Sequence, residues 1–202
     1  MKRILLPALV GIGAFVGFSS ASAAIVFDFG SIVTGAPQGG PLYARITLTN
    51  AGADTVSILL ENTAQTPAAT GQAIMRALLN VDPFVTGLNV TSGSSKFTGF
   101  SISQDGENDA GSFFDLRLSF ATAMGNRVLP GDSVLMTATG TGLTESSFNT
   151  VSGGVAREGM IHLINIPPDG LSAKVSTGVP EPATFAALGL GALALVRRRR
   201  RK

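Results

Sequence analysis

Short runs of alternating apolar and polar residues most constrain the fold of this 202-residue chain. In Phe113–Phe120 (FFDLRLSF), Phe114 and every second residue after it are apolar, and the residues between them are polar. Side chains of an extended strand point alternately to its two faces, so the run predicts a strand with one buried face. Comparable runs predict further strands at 25–29, 42–50, 55–61, 97–104, 133–139 and 160–166.

Segments rich in Gly, Asn, Asp and Pro separate these runs. Gln104–Asp109, Leu129–Asp132 and Pro167–Gly170 are typical turn sequences. Gln72–Val81 fits both helical and strand spacing, and its strand-rich neighbourhood favours a strand. Short strands with turns between them predict an all-β fold, an antiparallel β-sandwich of jelly-roll or immunoglobulin-like type.

Composition and charge exclude several classes of function. The chain has no cysteine, so it has neither disulfides nor thiolate metal sites. Only 14% of its residues are charged, and many of the basic ones lie at the two ends. Residues 24–179 hold seven Lys or Arg against twelve Asp or Glu, a formal net charge of −5. A nucleic-acid partner therefore has no electrostatic support.

The first 23 residues have the three parts of a secretory signal. Lys2 and Arg3 precede an apolar run at 4–18, which is long enough for a signal core and short for a membrane span. Ala21 and Ala23 then supply the small side chains that signal peptidase requires. We predict a signal helix in residues 1–23, with cleavage after Ala23.

The C-terminal segment also has three parts. Pro180-Glu181-Pro182 leads into an uncharged apolar run at 183–196, and five arginines and a lysine occupy 197–202. As a helix the apolar run would span about 21 Å, against roughly 30 Å for the bilayer core. Flanking arginines that reach the cytoplasmic interface extend such a short span. The pattern predicts a membrane helix that anchors the exported chain in the inner membrane.

In order, spacing and position this tail resembles the PEP-CTERM sorting signal of Gram-negative bacteria. The matching residues are Pro180, Glu181 and Pro182, the Gly/Ala/Leu-rich run that contains 188–192, and the arginines at 197–201. The resemblance implies that a membrane enzyme, exosortase, processes the chain at or near the Pro-Glu-Pro motif. It also implies sorting to the cell exterior, typically in bacteria that make exopolysaccharide and biofilm. The alternative is a plain tail anchor with a basic stop.

Residues 24–179 offer few candidates for chemistry. The single histidine, His162, lies in a predicted strand without a catalytic motif around it, and we expect no enzyme activity and no cofactor. Asp105, Glu107 and Asp109 form the densest acidic cluster, and carboxylate oxygens suit calcium. The cluster lacks the Gly and Glu spacing of an EF-hand loop, and a solvated turn is the simpler interpretation. We therefore expect no metal site, with these three residues as weak calcium candidates.

The sequence thus predicts a signal peptide at 1–23, an exported β-sandwich domain at 24–179 and a sorting signal at 180–202. The expected partners are signal peptidase, an exosortase-type enzyme, the inner membrane during transit and exopolysaccharide. The expected location is the cell surface or extracellular matrix, after transient anchoring in the inner membrane. The expected role is structural or adhesive. A glycan- or calcium-binding module on the same domain is the alternative.

Overall fold

The computed structural model describes residues 24–151 and 153–178, which form an all-β domain. Alternating side chains and short turns give ten strands and one short 3-10 helix at Glu145–Phe148. The strands are β1 (Ala24–Thr34), β2 (Ala44–Gly52), β3 (Thr55–Glu61), β4 (Ala73–Leu79), β5 (Thr86–Thr91), β6 (Phe97–Asp109), β7 (Ser112–Phe120), β8 (Ser133–Thr141), β9 (Gly159–Ile166) and β10 (Leu171–Thr177).

All ten strands belong to one antiparallel sheet, in the order β5-β8-β3-β2-β1-β10-β9-β4-β7-β6. The two edge strands, β5 and β6, approach each other, so the sheet is nearly closed and barrel-like. The all-β prediction is confirmed, but the prediction of a sandwich of two sheets is corrected. Alternation shows that one face of each strand is buried. It does not show whether that face packs against a second sheet or against the opposite side of the same curled sheet.

All seven strands predicted from alternation are present, and Gln72–Val81 contains β4. The turns at Leu129–Asp132 and Pro167–Gly170 are also present. The turn predicted at Gln104–Asp109 is wrong, because β6 continues to Asp109 and the hairpin turns at Ala110-Gly111. Between Ile102 and Glu107 the register with β7 shifts, so the polar segment forms an irregularity within the strand.

The inner face of the curled sheet holds the main core. Side chains from β1 to β5 and from β7 to β10 are buried there, and β6 adds the partly buried Phe97 and Phe100. Fully burying a Leu, Ile or Phe side chain stabilises a fold by roughly 1.5–3 kcal/mol. The largest fully buried side chains of the main core are those of Phe29, Phe148, Ile46, Leu48, Ile58, Leu60, Ile74, Leu79, Leu116 and Leu118.

A second, smaller cluster contains residues from three strands. Leu78 of β4 pairs with Met160 of β9, and both pack against Phe114 of β7. Asp109, near the tip of the β6–β7 hairpin, forms ion pairs with residues of β4 and β10. The outer part of this hairpin therefore lies against the face of β4, β9 and β10 that points away from the main core.

The sheet also fixes where the end of β10 lies. Ser176 pairs with Met160, Met160 pairs with Leu78, and Leu78 pairs with Arg117 of β7. The last residue of β10, Thr177, is thus at the same end of the sheet as the last residue of β4, Leu79. Gly178, the last described residue, follows Thr177 at this end.

Candidate functional site

The three acidic residues singled out in the sequence do not converge. Their alternate positions would place them on one face of a regular strand. Asp105 has a positive φ of 51°, and it lies within the irregular stretch of β6. The structure directs the three side chains to different partners.

Asp109 is the most buried of the three, with 3% of its side chain exposed. Its Oδ2 accepts a hydrogen bond from Nη2 of Arg76 on β4, at 2.7 Å. Its Oδ1 forms an ion pair with Nζ of Lys174 on β10. A buried carboxylate is stable when it is paired in this way, so Asp109 serves to fix the hairpin tip on the sheet.

Glu107 also forms an ion pair with a basic side chain. Its Oε1 lies 2.8 Å from Nη1 of Arg117 on β7 and accepts a hydrogen bond from the Ser101 hydroxyl at 3.2 Å. Across residues 24–151 and 153–178, no group of three or more His, Asp or Glu side chains is placed to hold a metal ion. The three calcium candidates are therefore not brought together by the fold.

His162 lies between two cations on the sheet. Its neighbours in the strand pairing are Arg76 of β4 and Lys174 of β10. Burial lowers the pKa of His162, the charge of Arg76 lowers it further, Asp109 raises it, and Lys174 lowers it. Its Nδ1 is buried and has no hydrogen-bond partner among the described residues. A catalytic histidine needs a partner that orients the ring, and none is present at this nitrogen.

Asp105 has a different environment, since it lines a cleft of about 360 Å³. The cleft lies beyond the end of β4, between the segment that leads to β5, the irregular part of β6 and residues near 150. Asp82, Asp105 and Asp115 contribute carboxylates to its lining, and no Lys, Arg or His side chain of residues 24–151 and 153–178 lines it. The cleft carries a formal charge of −3.

Asp115 holds the walls of the cleft together. Its Oδ2 accepts a hydrogen bond from the backbone NH of Val81 at 3.0 Å, and its Oδ1 accepts one from the backbone NH of Asp105 at 2.8 Å. A carboxylate that bridges two backbone groups fixes both segments at once. Asp115 thus links the chain after β4 to the irregular part of β6.

Two further polar side chains line the cleft without satisfying all their hydrogen bonds. Asn80 is 3% exposed, and its Nδ2 donates to the carbonyls of Thr150 (3.3 Å) and Arg157 (3.0 Å). Because both neighbours are carbonyls, the amide orientation is fixed, and within the described residues Oδ1 accepts no bond. The Thr150 hydroxyl is buried and also without a partner there.

Sequence reasoning found Asp105 and missed the rest of the cleft. The available signal was a set of polar residues directly after a strand, Asn80 and Asp82. Asp115 was assigned to the polar face of its strand, and nothing local distinguishes it from Arg117 there. Its role depends on contacts with Val81, 34 positions away, and with Asp105, 10 positions away, which a local pattern does not encode.

The described β-domain ends at Gly178, and a C-terminal segment follows it in the sequence. Residues 178–201 match the family model of the PEP-CTERM protein-sorting motif, so the predicted resemblance is confirmed. The chain carries this motif directly after β10. No curated protein and no solved structure matches the chain.

The residues predicted to act in export lie outside the described part of the chain. They are Ala21 and Ala23 of the signal peptide, Pro180, Glu181 and Pro182 of the sorting motif, the apolar run 183–196 and the basic residues 197–202. Among residues 24–151 and 153–178, no helix is long and apolar enough to cross a membrane.

Proposed function

We propose that this chain is an exported protein sorted by an exosortase-type enzyme to the cell surface or extracellular matrix. The observation that carries the proposal is the PEP-CTERM sorting motif at residues 178–201. In this account signal peptidase removes residues 1–23, and the tail holds the chain transiently in the inner membrane. Processing near Pro180-Glu181-Pro182 then separates the β-domain from its anchor.

The position of the motif supports this order of events. The motif begins one residue after β10 ends at Thr177, so it overlaps none of the described strands. Cleavage after this point removes no residue of the described core. The β-domain can therefore be released intact.

For the released domain we propose a structural or adhesive role in exopolysaccharide or biofilm, without enzyme activity. Its acidic and basic side chains support this view, because many of them stabilise the sheet. Asp109 and Glu107 are paired with cations, and His162 has no orienting partner at Nδ1 within the described residues. The test of the role is loss of surface-matrix cohesion when the gene is deleted and its recovery on re-expression.

A second candidate is a ligand-binding module on the same domain, for a glycan or for calcium. The cleft that contains Asp105 favours a ligand of some kind, since three carboxylates and the amide of Asn80 line it. The paired state of Glu107 and Asp109 disfavours calcium at the acidic segment of β6. A glycan is therefore the better of the two ligands.

The sorting proposal is tested by replacing Pro180, Glu181 and Pro182 with alanine. The variant is expected to remain unprocessed in the membrane fraction, while the wild-type domain reaches the cell exterior. A matched control replaces Pro167 and Pro168, in the turn before β10, with alanine. Identical processing and location of the wild type and the triple variant would contradict the proposal.

A further inference from the structure

The cleft beyond β4 has the composition of a binding site for a small polar ligand. Sites of this kind are concave, partly apolar and lined by a few convergent polar groups. Here the volume is about 360 Å³, and the polar groups are Asn80, Thr150 and the three carboxylates of Asp82, Asp105 and Asp115. A ligand in the cleft would meet mainly hydrogen-bond acceptors.

The free hydrogen-bonding groups of Asn80 and Thr150 restrict which polar groups a ligand can present to the cleft. Asn80 is almost fully buried, its Nδ2 is held by two carbonyls, and its Oδ1 accepts nothing within the described residues. Oδ1 is open to the cleft and not shielded from solvent, so water or a ligand can complete its hydrogen bonding there. The buried hydroxyl of Thr150, on the same lining, also has no partner there.

The charge of the cleft selects among ligands that donate hydrogen bonds. Within the described part of the chain, three carboxylates and no basic side chain line it. Covering carboxylates with a neutral molecule removes them from water without returning an opposite charge, which is costly. An anionic sugar would add repulsion. A ligand that carries an ammonium group compensates the lost hydration and donates three hydrogen bonds.

Apolar side chains complete the site. Val81, Val85, Ile102 and Val151 line the cleft beside the acidic groups. Phe84 lies between the lining residues Pro83 and Val85, and it is 88% exposed. An exposed phenyl ring next to a polar cleft offers a surface for the C–H face of a sugar ring, while the carboxylates take its polar edge.

We propose that this cleft binds an amino-sugar unit with a free ammonium group. In this arrangement Asp105 and its neighbouring carboxylates accept hydrogen bonds from the ammonium and hydroxyl groups, and Phe84 contacts the ring. The inference rests on the second candidate function, and it names the ligand class and the site. It is independent of the sorting proposal, because a correctly processed chain can fail to bind the amino sugar, and an unprocessed chain can still bind it.

The test is calorimetric titration of the protein as recovered from its native cells, at low salt and neutral pH. The probes are a glucosamine tetrasaccharide, its N-acetylated counterpart and tetralysine. Binding of the glucosamine tetrasaccharide with clear preference over both other probes is expected. Equal binding of the N-acetylated tetrasaccharide would overturn the role of the ammonium group, and equal binding of tetralysine would overturn the role of the sugar ring.

Substitutions at and near the cleft test whether the ligand binds there. Asp105→Asn is expected to weaken binding of the glucosamine tetrasaccharide about tenfold or more, because a charge-assisted hydrogen bond is lost. Phe84→Ala is expected to weaken binding as well. Because the Phe84 side chain is exposed, its removal should leave the fold intact, so weaker binding is not attributed to misfolding. Asp28→Asn, on β1 outside the cleft, is the matched control and should bind like the wild type. Unchanged binding by Asp105→Asn and Phe84→Ala would overturn the assignment.

Discussion

At the scale of single residues, Asp109 is the most buried of the described carboxylates. It is the only member of its acidic segment with two cationic partners among the described residues, and it is almost completely shielded from water. The polar segment 104–109 was predicted to be a solvated turn, and the burial of Asp109 shows how far the tertiary structure departs from that expectation. The position of a charge in sequence does not reveal whether another strand will cover it.

Replacing Asp109 with asparagine should destabilise the domain strongly. Breaking a buried pair by removing one partner typically costs 3–5 kcal/mol, and we expect about 3 kcal/mol here because Arg76 and Lys174 are partly exposed. Asp28→Asn is the control, since the Asp28–Arg45 pair is well exposed and should contribute nothing measurable. Urea unfolding of both variants measures the difference. Equal midpoints would show that the Asp109 pairs do not hold the hairpin.

His162 should make the stability of the domain depend on pH. Burial and the charge of Arg76 lower its pKa in the folded state, so the unfolded chain binds a proton more readily. The stabilisation is complete above the unfolded pKa, near 6.5, and is lost as the pH falls from there towards the lower folded value. Asp109, Arg76 and Lys174 are the charged groups that act on this imidazole.

Because the chain has one histidine, a single variant isolates this effect. Melting temperatures of the wild type and His162→Gln are compared at pH 7.5 and pH 5. The wild type should lose more stability than the variant over this interval. Parallel curves would contradict the account, because every other titratable group is common to both proteins.

At the scale of elements, the outer part of the β6–β7 hairpin is fixed to the sheet by a small apolar contact. Phe114 is fully buried against Leu78 and Met160, separately from the main core. Around the tip, the Ser112 hydroxyl donates to the Val155 carbonyl at 2.6 Å, and the Val155 backbone NH donates to the Gly111 carbonyl at 2.9 Å. The hairpin thus packs as an integral part of the domain.

Replacing Phe114 with alanine should leave a cavity between the hairpin and the sheet. Such a substitution of a buried phenylalanine costs about 3–5 kcal/mol. Phe84→Ala is the matched control, because its ring is 88% exposed and contributes little to burial. Unfolding in urea compares the two variants, and a loss of similar size in both would show that Phe114 is not a packing residue.

The strands that alternate with large apolar residues were predictable from the sequence. β3 matches its prediction residue for residue, and β7 and β9 match within one residue at one end. β5 and β10 were missed, because they bury only small or few side chains: Leu88 and Val90 in the first, Ala173 and Val175 in the second. Such strands form through pairing with their neighbours, which local periodicity does not report.

The strand order and the cleft could not be predicted for a related reason. Whether ten strands form one curled sheet or two facing sheets depends on which strands pair, and β1 pairs with β10 from the far end of the domain. The cleft is assembled from segments near positions 80, 105, 115 and 150, and the pairing of β4 and β6 with β7 brings the first three of them together. Asp105 was recognisable as a polar candidate, but its partners were not.

At the scale of the whole molecule, the folded core and the sorting motif occupy separate parts of the sequence. The described sheet ends at Thr177, and the sorting motif occupies 178–201. The tail could be recognised from sequence alone, because its signals are short, ordered and local. The role of the domain could not, because it depends on a surface that exists only after folding.

The most direct test of the sorting account is the intact mass of the protein recovered from the exterior of its native cells. We expect a mass that lacks residues 1–23 and the segment that follows the cleavage site at or near Pro180-Glu181-Pro182, with any group added there visible as an increment. The alanine variant of the motif should be absent from this fraction. Recovery of wild-type protein whose mass still includes residues 183–202 would contradict the account.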